Sequence, residues 1–175
     1  MNSAGQNGAY NVLMVALRYV YALALAAWLG GMAVLGAIVA PTTFQVLQDA
    51  APANGRALAG ELFGTVLARF HYLAYMAGAI LLVTLIVMRI LGPRPKAFAF
   101  RALLVLGMLL VALYSGIVIL GTIDAIQLDA GGLPSLLPAD DARRIRFDEL
   151  HRLSTRLMMF NIVGTLVLLF WEARE

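Results

Sequence analysis

Tyr19–Gln48, YVYALALAAWLGGMAVLGAIVAPTTFQVLQ, runs 30 residues without a formal charge. A helix crosses the hydrocarbon core of a bilayer with roughly 20 apolar residues at about 1.5 Å each. This run is long enough to span a membrane and continue past it. Reading outward, Phe70–Met88 carries no charge over 19 residues, Ala102–Ile123 none over 22 and Leu157–Trp171 none over 15. The last run is short, so its helix must take in the turn before it. Arg152 and Arg156 then lie in or just below an interface, where they either snorkel outward or pair inside the bundle. The expected spans are about 14–40, 70–91, 102–123 and 153–172. The expected fold class is all-α, an antiparallel four-helix transmembrane bundle forming a single domain over residues 1–175.

Composition agrees. The chain is 62% hydrophobic and 13% charged, whereas soluble domains are about half apolar and a quarter charged. Lipid must therefore be the solvent for most of the surface. The chain has no cysteine and two histidines, which excludes disulfides, thiolate metal sites and multi-histidine cages. No basic patch interleaved with aromatics is present, so no nucleic-acid partner is expected. The net charge of +3 reflects loop arginines. No Lys or Arg precedes Arg18 and the apolar run after it is far longer than a signal core, so the first segment is expected to stay as a helix.

The turn between spans two and three holds Arg89, Arg94, Lys96 and Arg101 without an acid, kinked by Gly92-Pro93 and Pro95. A short basic loop marks the cytoplasmic side. With four spans both termini follow it, giving a multi-pass protein of the cell (inner) membrane with cytoplasmic N- and C-termini. Arg18 and Arg174 agree. Arg143, Arg144 and Arg146 on the other side count the opposite way, among Asp140, Asp141, Asp148 and Glu149.

Two outer connections read as helical. Ala57–Arg69 continues into span two and Asp140–His151 into span four, with no Gly or Pro at either join. Either these segments lie flat on the interface or they stand upright; the unbroken joins favour upright extensions of helices two and four. Asp140 and Asp141 suit a helix N-terminus, where carboxylates accept orphan N–H bonds. The small-xxx-small pairs Ala27/Gly31, Ala74/Gly78 and Ala112/Gly116 support close helix approach.

Spans two and four run the same way, which sets His71 and His151 at similar depth near the outer interface. Two imidazoles on facing helices could hold a haem axially or share a soft metal ion. Equally, an interfacial histidine serves structure by bonding a backbone carbonyl or a neighbour, and His151 has Asp148 one turn earlier. His151, Ser154, Thr155, Met158, Asn161 and Thr165 share about a third of helix four's circumference, a polar stripe expected to face the bundle interior as glue or as a mouth. Met76 and Met158, with Met32 and Met159, are the thioether candidates for a soft ion, and methionine is also an ordinary gap filler. Arg152 and Arg156 present two guanidinium groups on one face, with Asp124 and Glu61 as counter-charges. No nucleophile–base pair, phosphate loop or paired intramembrane carboxylates are visible, so no ordinary hydrolytic site is expected.

Ala27-Trp28-Leu29-Gly30-Gly31, then Ala40-Pro41-Thr42-Thr43-Phe44, resemble the opening of the transmembrane-protein-205-like family (domain of unknown function 4149). Phe147–Ser154, FDELHRLS, resembles its final helix, and the likeness runs in order along nearly the whole chain. More distantly the chain is similar to copper-resistance D-type membrane proteins and to the four-helix protoporphyrinogen oxidase, which share a Trp-x-Gly element in an early helix. Those relatives carry histidine in their early spans, and span one here has none. The resemblance implies a compact four-helix bundle and brings no catalytic residues with it.

The functional expectation is a non-enzymatic integral membrane protein that binds or helps move a small ligand or soft metal ion, or an accessory subunit of a membrane complex. The alternative is a b-type haem redox protein using His71 and His151. Besides the lipid bilayer, a homo-oligomer or other membrane subunits are the expected partners.

Overall fold

The computed structural model describes residues 3–92 and 95–174, with side chains from residue 8 onward. Pro93 and Arg94 of the basic turn lie outside the described residues. The helices are α1 (Ser3–Val34), α2 (Ala40–Ala50), α3 (Gly55–Leu91), α4 (Phe98–Leu113), α5 (Leu120–Ala130) and α6 (Ala142–Glu172), with a short 3₁₀ turn at Pro134–Leu136. Single π turns at Leu35–Val39 and Tyr114–Ile119 join α1 to α2 and α4 to α5. Four continuous rods result, each long and apolar enough to cross a membrane: Gly8–Ala50, Gly55–Leu91, Phe98–Ala130 and Ala142–Glu172. The protein is an all-α, multi-pass membrane protein built as an antiparallel four-helix bundle.

Each rod packs on its neighbours in sequence, and the last closes on the first. The α1 helix lies against α3 and α6, and α4 lies against the same two. Successive rods therefore alternate up and down around a square, with α3 and α6 on one diagonal. The core is Tyr21, Leu25, Trp28 and Met32 of α1, Ala74, Ala77, Leu81, Leu85 and Met88 of α3, Val105, Met108 and Ala112 of α4, and Leu168 of α6. Large residues face small ones across it. A Cβ on Gly78 would meet Leu109 and Trp28, and one on Gly164 would lie 2.5 Å from Met108 Sδ. In lipid, such close backbone approach replaces the hydrophobic drive that water supplies elsewhere.

The π turn at Leu35–Val39 sits directly before Ala40-Pro41. Proline has no N–H for the carbonyl four residues back and its ring crowds that carbonyl, so a widened turn lets the helix continue. The same device recurs at Tyr114–Ile119 with no proline present. There it falls where a neighbouring helix presses on Gly116.

Rods of 43, 37, 33 and 31 residues exceed what a hydrocarbon core requires. The excess lies on the side of the α2–α3 and α5–α6 connections, and all four rods contribute to it, where the sequence suggested two. On that side Phe44 of α2 meets Phe63 of α3 with ring centroids 6.5 Å apart. The α5 helix ends at Gly131, whose φ of 65° is the left-handed conformation that glycine adopts without a Cβ penalty. Asp141 caps α6, accepting from the Arg143 N–H at 2.8 Å. Arg143 also donates to the Asp129 carbonyl at 3.2 Å, and Arg144 to the Leu137 carbonyl at 2.6 Å. These arginines staple the α5–α6 connection.

Candidate functional site

His71 is buried on α3, one turn after Leu67. Its Nδ1 lies 2.9 Å from the Leu67 carbonyl oxygen. A carbonyl can only accept, so Nδ1 carries the proton, and in the neutral ring Nε2 is left as an acceptor. No protein group takes that nitrogen among the described residues. The ring leans toward Tyr75, one turn on, with centroids 6.0 Å apart, and Tyr75 meets Tyr72 edge-on at 6.1 Å.

All three aromatics border the seam with the π turn of the third rod. A Cβ on Gly116 would lie 2.5 Å from His71 Cδ2, 2.7 Å from its Cγ and closer still to the Tyr75 hydroxyl. Only a glycine allows the rings to approach the backbone so closely. A cleft of about 300 Å³ remains at this seam, lined by Ala68, His71, Tyr72, Tyr75, Gly116 and Ile117. No charged side chain lines it.

The other expected site residues do not converge on His71. His151 is exposed on α6 and stacks on Phe147 at 6.2 Å, with the rings 10° from parallel. No α6 residue lines the His71 cleft, and α3 and α6 are diagonal in the bundle, so the two imidazoles face no common gap. Met76 is 66% exposed and borders an apolar groove between α1 and α3. Met158 is partly buried, its methyl 3.7 Å from where a Cβ on Gly36 would be. Among the described residues no group of three or more His, Asp or Glu gathers as a metal site. Arg152, Arg156, Asp124 and Glu61 are all exposed, and no ion pair joins them. Within the polar stripe of α6, Asn161 and Thr165 do face the interior, while His151 and Thr155 face out.

At the opposite end of the bundle stands a polar cluster that the sequence did not reveal. Arg101, 1% exposed at the start of α4, donates through Nη2 to Glu172 Oε2 at the end of α6. Its guanidinium lies over the Tyr21 ring of α1, 4.8 Å from the centroid. Around it Lys96 Nζ donates to the Arg174 carbonyl at 2.9 Å, and Arg89 covers Phe98 at 4.6 Å. The available signal was Glu172 itself, an acid closing a charge-free run on the side where bases crowd. Counting along the helices, this layer and the His71 level are roughly 20–25 Å apart, near opposite faces of a hydrocarbon core.

No curated protein and no solved structure matches the chain. Residues 23–131 match the family described as Domain of unknown function (DUF4149). The match runs from within α1 to just past the end of α5, so it takes in both walls of the cleft, His71 and Gly116. The region with His151, Arg152, Arg156 and Met158 lies beyond it. The chain belongs to the DUF4149 family.

Proposed function

We propose that the protein is a non-enzymatic membrane protein that binds, or helps move, a small ligand at the seam between α3 and the third rod. One observation carries the reading. His71 is a buried residue whose Nδ1 is committed to Leu67 and whose Nε2 has no hydrogen-bond partner among the described residues, and it lines a cleft of about 300 Å³. A ring nitrogen that keeps its acceptor lone pair open beside a cavity can take a donor from a ligand seated there. The protein's task there is to offer one acceptor and aromatic walls. A small organic ligand fits better than a multidentate soft metal ion, because Met76 and Met158 lie on other seams.

The same reading places the chain in the cell (inner) membrane with both termini cytoplasmic, on the strength of Arg89, Lys96 and Arg101 beside the turn after α3. The resemblance of its opening and of FDELHRLS to transmembrane-protein-205-like proteins supports a shared bundle over the full length. Native mass spectrometry from nanodiscs tests the ligand seat. Wild type is expected to carry a bound small mass that Gly116→Ala, which drives a methyl group against the His71 and Tyr75 rings, does not carry. Identical spectra with no added mass in either would contradict the reading. Orientation is tested by labelling Pro95→Cys in this cysteine-free chain. Reaction with an impermeant thiol reagent from outside the cell would reverse it.

A further inference from the structure

We propose that the His71 cleft receives the ring of a neutral, lipid-soluble phenol, entering sideways from the bilayer and donating its hydroxyl to His71 Nε2; this rests on the reading of the cleft as a ligand seat. Four observations narrow the ligand to that class.

The first is access. Only α3 and the third rod line the cleft, and its rim residues Tyr72 and Ile117 are 69% and 64% exposed on the outer wall of the bundle. The opening therefore faces lipid, not the bundle axis, and a ligand arrives by partitioning into the bilayer. The second is charge. None of the six lining residues is ionic, and an ion brought to the edge of hydrocarbon without a counter-charge bears a large desolvation cost. A neutral ligand bears none of it.

The third is polarity. With Nδ1 held by the Leu67 carbonyl, the neutral imidazole offers an acceptor, so the ligand must bring a donor. A phenolic hydroxyl is a stronger donor than an aliphatic one. The fourth is shape. His71, Tyr75 and Tyr72 stand at 54° and 79° to one another across about 6 Å, which offers faces and edges to a flat ring. About 300 Å³ admits one ring and leaves an alkyl tail outside in the lipid. The π turn at Tyr114–Ile119 completes the account, since widening the helix there brings Gly116 up to the rings and shapes the floor of the cleft.

The test uses the full chain in nanodiscs, with 4-octylphenol as probe and octylbenzene as the same ring and tail without the hydroxyl. Binding is measured in excess of empty nanodiscs. Saturable octylphenol binding is expected, with His71→Phe weakening it about tenfold, the equivalent of one lost hydrogen bond. Octylbenzene is expected to show no saturable excess. Should His71→Phe fail to fold, Ala68→Leu on the cleft lining narrows the cleft and must weaken octylphenol in the same direction. Equal binding of both probes, or octylphenol binding indifferent to these substitutions, overturns the phenol assignment. Absence of octylphenol binding with Cu(I) bound by wild type and lost in His71→Phe overturns the phenol but keeps the ligand seat. Binding of none of octylphenol, octylbenzene and Cu(I) overturns both.

Discussion

Arg101 and Glu172, 71 residues apart in sequence, form an ion pair that joins the first turn of α4 to the last turn of α6. The pair is almost wholly enclosed, at 1% and 13% side-chain exposure, and Tyr21 of α1 covers the guanidinium face. Three of the four rods therefore meet through one charge. Geometry of this kind fixes which rods are neighbours, because an arginine stranded against hydrocarbon has nowhere favourable to go.

Glu172→Gln or Arg101→Met should each lower stability in detergent by about 3–5 kcal/mol, since either takes the opposite charge away from a largely enclosed partner. The double replacement Arg101→Met with Glu172→Gln should cost less than the sum of the two single losses. Chemical denaturation of the four proteins checks this. Additive losses would mean that the two side chains act independently.

The four rods were legible because lipid imposes a simple rule: long runs without charge must cross it. Lateral order and azimuth were not. His71 and His151 were placed at one depth by counting residues, and depth is all that counting supplies. Their directions depend on which rods touch, and α3 and α6 turn out to be diagonal. Arg101 read as one more base in a short turn because its partner is 71 residues away, beyond the reach of any helical spacing. The π turn before Pro41 had a visible cause, while the one around Gly116 had none in the local sequence.

Close packing at glycine should separate two positions on different rods. A Cβ on Gly164 would lie 2.5 Å from the fully buried Met108 Sδ, so Gly164→Ala should destabilise by about 1–3 kcal/mol through overpacking. Gly30 has no atom within 4 Å of the added carbon. Gly30→Ala should be neutral or stabilising by up to about 1 kcal/mol, the helix-propensity gain. Thermal unfolding midpoints of the two variants read this out, and a loss at Gly30 matching that at Gly164 would refute the packing described.

Asp141 should make the start of α6 acid-sensitive. Hydrogen bonds from the Arg143 side chain and then from its backbone N–H hold the Asp141 carboxyl down from 3.8 to about 2. A lowered folded-state value means that the stabilisation is complete above about 4 and is lost as pH falls through about 2. Amide hydrogen exchange at Arg143–Ile145, corrected for intrinsic rates, should stay protected from pH 7 to pH 4 and rise below that. In Asp141→Ala it should be fast throughout. A wild-type profile flat down to pH 2 would show that the cap does not depend on ionised Asp141.

The cleft was half legible. His71 was evident as a rare ionisable residue at a membrane interface, and bonding to a backbone carbonyl was one of its foreseen roles. Gly116 was visible only as a small-xxx-small partner of Ala112. That it lies beneath the His71 and Tyr75 rings is a fact of three-dimensional contact between rods.

The most direct test of the central claim is a ¹⁵N-histidine NMR spectrum of the chain in nanodiscs, where two histidines give two pairs of ring-nitrogen signals that His151→Gln assigns. The account predicts that His71 is the Nδ1–H tautomer, with Nε2 unprotonated and free to accept. On adding 4-octylphenol the His71 Nε2 signal should shift to lower frequency and saturate, with His151 unmoved. An Nε2–H tautomer at His71, or a His71 signal unchanged by octylphenol and by Cu(I) alike, would contradict it.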